Sequence, residues 1–159
     1  MKFIAGKKLS DNKTLRATIL WMLFALIVAM ALSIAAKSME FGFVPNEWIK
    51  RVLGSEAEFI EPLSFKDILL SVHTDLFGLI ITFIMIASLY TRTAHSEAVK
   101  IGYMIISVVT LLLYPLGLLL FGTLGSIGIV SSIGAFMIFH LLTIIASLDL
   151  LIAIIRKRY

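Results

Sequence analysis

Apolar and polar positions fall along this chain in long blocks. Four apolar blocks, roughly 17–36, 68–91, 99–121 and 126–155, are separated by polar stretches of uneven length. Each reaches the about 20 residues that a helix needs to cross a hydrocarbon layer. Lipid offers no hydrogen-bond partners, so each block must satisfy its amides internally, as a helix. The pattern predicts an all-α integral membrane protein: a four-helix bundle, up-down-up-down, forming a single membrane domain over 1–159.

The connections add detail. The first is long, residues 37–66, and contains "VPNEWIKRVLG". Pro45 suits a helix start and Gly54 a helix stop. Trp48, Ile49 and Val52 recur at helical spacing, and Trp favours the headgroup zone. A short interfacial helix in this first outer loop is expected. The third connection, "FGTLGSIG", is short and glycine-rich, which predicts a tight hairpin of the last two spans. Gly117, Gly122, Gly125, Gly128 and Gly134 allow close approach there. Tyr114–Pro115 reads as a kink in the third span.

Composition agrees with the pattern. Sixty per cent of the 159 residues are hydrophobic and 15% charged, too apolar for a soluble domain of this length. Cysteine is absent, which excludes disulfides, thiolate metal sites and cysteine nucleophiles. The basic start is read as the flank of a retained helix, since no small-residue cleavage site follows it.

Charge sets the orientation. Lys2, Lys7, Lys8, Lys13, Arg16, Arg92, Lys100, Arg156, Lys157 and Arg158 fall on one side, ten of the fourteen basic residues. Only Lys37, Lys50, Arg51 and Lys66 fall on the other, diluted by six acidic residues between Glu40 and Asp67. The bias predicts both termini in the cytoplasm of a multi-pass plasma-membrane protein. The basic tails are topological signals, and no nucleic-acid site is read into them.

Polar residues inside the spans are the candidate chemistry, because they are costly there. These are His73 and Asp75 in the second span and His140 and Asp149 in the fourth. His95 falls in the polar loop "TRTAHSEAVK", where solvation is expected. His73 stands 19 residues before Arg92, and His140 stands 16 before Arg156. At 1.5 Å per residue their depths differ by only about 4–5 Å. Matched imidazoles in a bundle suit the two axial positions of a haem. A proton path or interhelical hydrogen bonds, and another metal or ligand, stay open beside it. Asp75 lies about 200° around the helix from His73, so the two cannot face one partner. Asp75 and Asp149 are candidates for proton exchange or subunit contact.

The stretch "VHTDLFGLIITFIMIASLYTRT", residues 72–93, resembles the second transmembrane helix of the catalytic subunit of cbb-type cytochrome oxidases and nitric oxide reductases. The shared features are the His-Thr pair and an aliphatic run with Ser and Tyr before a basic loop. The resemblance implies haem b, with His73 as an axial ligand beside the matching Thr74. His140 has no counterpart motif and is paired by depth alone. With three histidines in all, the chain lacks the ligands of a binuclear centre and is no self-sufficient oxygen or nitric oxide reductase.

The resulting expectation is a membrane b-type cytochrome with one bis-histidine haem between His73 and His140. Lys50, Arg51 or Lys66 would neutralise the propionates, with quinol or a respiratory partner as electron source. A homodimer is expected, because one small bundle around a porphyrin leaves little to satisfy Asp75 and Asp149. Two rivals remain: a gas sensor with a displaceable histidine, and a haem-free proton relay through His73, Asp75, His140 and Asp149.

Overall fold

The computed structural model describes residues 13–93 and 95–156. The basic residues Lys2, Lys7, Lys8, Lys157 and Arg158 lie outside the described residues. The fold is an all-α bundle. Helix α1 spans Lys13–Phe41, α2 Pro45–Leu53, α3 Phe65–Tyr90, α4 Glu97–Leu119 and α5 Phe121–Ile155. All but α2 are long and apolar enough to cross a membrane. They alternate in direction, with α4 against α5, α1 against α5, and α3 against both α4 and α5.

Helix α1 continues five residues beyond the expected boundary at 36, to Phe41. That extension carries Lys37 out of the loop and into the bundle. Ser64 starts α3 by accepting the Asp67 N–H, and Ser96 accepts that of Val99 at the start of α4. Pro115 lies inside α4, which continues through it as helix. Across the α4–α5 turn the chains approach closely. A Cβ on Gly117 would stand 2.4 Å from the Gly128 carbonyl oxygen and 2.3 Å from Ser132 Oγ. Backbone contact therefore needs glycine there. The one non-helical residue within α5 is Gly125, at φ 56° and ψ −139°.

The short helix α2 forms where the sequence placed it. Pro45 sits in its first turn, and Glu47 Oε2 accepts the N–H groups of Phe43 and Val44. Trp48 packs against the bundle. Its ring is buried, stacked on Phe41 at 4.6 Å, and its indole N–H donates to the Gly42 carbonyl at 3.0 Å. The helix presents Trp48 and Val52 to the bundle because that side offers apolar side chains to bury against.

Each span shows the bundle one stripe at seven-residue repeats. On α5 it runs Phe136, His140, Thr143, Ser147, Leu150 and Ile154. On α3 it runs Ile68, Val72, Asp75, Leu79, Thr82, Ile86 and Tyr90, with Asp75 half-buried and the others buried. This is the spacing of long helices packed nearly antiparallel. The opposite faces expose Phe24, Leu32, Ile84, Ile105 and Ile145, the residues that lipid solvates. Two apolar clusters fill the interior. One surrounds Trp48, Tyr114 and Phe136 at the α2 end; the other surrounds Leu23, Tyr90, Tyr103 and Leu150 at the opposite end.

Candidate functional site

The stripes bring polar side chains of all four spans to the inside of the bundle. At the α2 end the centre is Lys37, with 6% of its side chain exposed. Its Nζ lies 2.7 Å from Asp75 Oδ2, 2.7 Å from Ser71 Oγ and 3.3 Å from Glu40 Oε2. An ammonium carries three protons, and here each has an acceptor. The Tyr114 hydroxyl donates to the same Asp75 oxygen, so α1, α3 and α4 meet at one carboxylate. Burying a charge in this way is tolerable only because it is fully paired.

One turn deeper lies His140, completely buried. Both ring nitrogens are engaged. Nδ1 is 2.8 Å from the Phe136 carbonyl oxygen, to which it must donate. Nε2 is 3.0 Å from Ser33 Oγ, which therefore serves as the donor to a neutral imidazole. Phe136 and Phe139 flank the ring at centroid distances of 4.0 and 6.0 Å.

Below His140 the polar stripe continues. Thr143 from α5 and Ser107 from α4 gather at the Tyr103 hydroxyl. All three groups are buried, within reach of one another but without an aligned hydrogen bond. Tyr103 packs on Tyr90 at 4.9 Å, and Tyr90 stacks on His95 at 5.4 Å. His95 Nε2 lies 2.5 Å from Asp149 Oδ2. His95, expected to be simply solvated, is thus tied to α5, because its loop folds back across the end of α3.

The expected haem clasp does not form within one chain. His73 is exposed on the outer side of α3, whereas His140 is enclosed and bonded at both nitrogens. The depth match is compatible with the helices, but the faces are not. His73 falls between the inward positions Val72 and Asp75, and the packing stripe turns Asp75 in. Nor does a basic cluster assemble for propionates: Lys50 pairs with Glu58, while Arg51 and Lys66 are exposed. Among the described residues no group of three His, Asp or Glu is arranged to hold a metal ion. The residues present do not fit a bis-histidine haem in this arrangement.

Lys37, Ser33, Ser71 and Tyr114 were not singled out as site residues by the sequence. A signal existed for three of them. Ser33 and Lys37 continue the α1 stripe of Ile19, Leu23, Leu26 and Met30. Tyr114, read as part of a kink, similarly follows Tyr103, Ser107 and Thr110 on α4.

A family model described as a transmembrane helical domain matches residues 42–159. The match takes in Asp75, Tyr114, His140 and Asp149; Ser33 and Lys37 lie before it. No curated protein and no solved structure matches the chain.

Proposed function

The chain belongs to the Aq_1264_TM family of transmembrane helical domains, and we propose that it is a proton-relay protein of the membrane. One observation carries this reading: protonatable side chains from every span converge inside the bundle, with Lys37, Asp75 and Tyr114 at one end and His95 and Asp149 at the other. His140, Thr143, Ser107 and Tyr103 occupy the depths between them. Intramembrane ionisable groups that face the bundle and one another are the usual material of proton relays. The bias of basic residues puts the α2 end outside and both termini in the cytoplasm. Asp75, at 22% side-chain exposure, is the group that exchanges protons with outer water, and His95–Asp149 does so inside. A homodimer goes with this reading, because a second copy at the outer face of α3 gives the exposed His73 a partner.

Proton flux into liposomes loaded with a pH-sensitive dye tests the relay. Under an imposed potential the purified protein should acidify or alkalinise the lumen. Asp75→Asn or His140→Gln should slow this by about tenfold or more per folded molecule, with the folded fraction of each variant measured alongside by circular dichroism. Flux no faster than in protein-free liposomes, or indifferent to both substitutions, overturns the reading.

The second reading is the b-type cytochrome implied by the α3 resemblance. It requires α3 to turn His73 inward and His140 to release Ser33. Its measurement is separate: a Soret band in protein from haem-replete cells, lost in both His73→Ala and His140→Ala. A colourless preparation removes it.

A further inference from the structure

Resting on the relay reading, we infer that Phe136 is the gate of this path, and that helix α2 holds it shut. Its ring touches both halves of the polar interior, 5.3 Å from the Tyr114 ring and 4.0 Å from the His140 ring. It is buried at 2% exposure. Tyr114 belongs to the Lys37–Asp75 cluster, whereas His140 bonds only to Ser33 and to the Phe136 backbone. Among the described residues no hydrogen bond joins the two groups. Proton transfer needs donor and acceptor at hydrogen-bond distance, directly or through water. A phenyl ring is neither donor nor acceptor, and it fills the space that a bridging water would take.

The ring is braced from one direction by α2. Trp48 packs on Phe136 at 6.5 Å while stacking on Phe41 and donating to Gly42. The nine-residue α2 is bounded by Gly42 at φ 101° and Gly54 at φ 82°. Glycines of this kind are where a short helix can pivot as a unit. Withdrawal of Trp48 frees Phe136 to change rotamer, and water then joins Asp75 and Tyr114 to His140.

Two measurements separate the gate from the relay. The first is liposome proton flux; the second is hydrogen–deuterium exchange at the imidazole C2 carbon of His140, read by mass spectrometry without any transport. Phe136→Ala should raise flux by about tenfold or more and speed His140 exchange. Phe136→Leu, which keeps a smaller apolar plug, should raise both by less than Phe136→Ala, and Trp48→Ala should move both in the direction of Phe136→Ala. Phe136→Val serves if the alanine variant fails to fold. Loss of flux in Asp75→Asn with Phe136→Ala indistinguishable from wild type in both assays keeps the relay and overturns the gate. Faster His140 exchange with no flux in any variant keeps the plug and overturns the relay. Slower flux in a folded Phe136→Ala overturns the gate outright.

Discussion

Lys37 and Asp75 at the α2 end keep 6% and 22% of their side chains exposed, whereas His95 and Asp149 at the opposite end keep 38% and 37%. Both arrangements pair a basic group with an aspartate across two elements. The first pair is enclosed by three helices and by α2, and every proton on the ammonium is used. The second joins the loop between α3 and α4 to α5 and is more than a third exposed. The difference is one of dielectric surroundings. Enclosure makes a pair indispensable to the fold, since loss of one partner strands the other charge. Exposure leaves a pair nearly neutral for stability. The bundle is therefore held by an enclosed pair at one end and carries a more exposed one at the other.

The largest way to break this contrast is Lys37→Ala, which leaves Asp75 without its cation. It should cost about 3–5 kcal/mol, against 1 kcal/mol or less for His95→Ala, roughly in the range known for buried and exposed pairs. Denaturant titration in detergent measures both. Equal losses at the two ends remove the distinction. Restoring most of the stability with Lys37→Met and Asp75→Leu together would show that pairing, rather than charge itself, is what the α2 end requires.

Tyr114→Phe is the next step down. It deletes one hydrogen bond to a charged carboxylate and leaves the ring packing intact, for an expected loss of about 1.5–3 kcal/mol. A loss below that range, read in the same titration, would mean that Lys37 holds Asp75 without help.

Close packing at the α2 end supplies a third measure. Gly117→Ala pushes a methyl group onto the Gly128 carbonyl and Ser132, and should destabilise by about 1–3 kcal/mol. Gly134→Ala meets nothing within 4 Å and should be neutral or slightly stabilising. The sign difference between these two alanines is the check.

The smallest effect belongs to the open end. Asp149→Asn should change stability by under about 1 kcal/mol, and added salt should shrink the change further, since exposed charges are screened. An effect as large as that of Lys37→Ala would show that His95–Asp149 is an anchor too.

Most of the fold was legible before any coordinates. Lipid removes every alternative to helix for an apolar block of about 20 residues, so the four spans and their alternation follow from the pattern alone. Pro45 and Gly54 likewise marked α2, because their backbone restrictions are local. Helix α1 was drawn five residues short because a lysine reads as loop when each position is weighed for hydropathy. Its place at the seven-residue repeat says otherwise.

The site divides along the same line. Sequence determined which polar residues lie within the membrane and at what depth, since rise per residue is fixed in a helix. Asp75 and His140 were identified that way, and the 200° between His73 and Asp75 was computable. Which of those two faces inward was decided only by packing. The α3 stripe that buries Val72 and Leu79 carries Asp75 with it and leaves His73 outside. Tertiary structure alone decided the partners as well: Lys37 with Asp75 and Tyr114, Ser33 with His140, and His95 with Asp149. These contacts join residues 38 to 107 positions apart, and no local preference of the chain specifies them. They follow from how four helices settle around shared apolar clusters, a property of the assembled bundle and of no single segment.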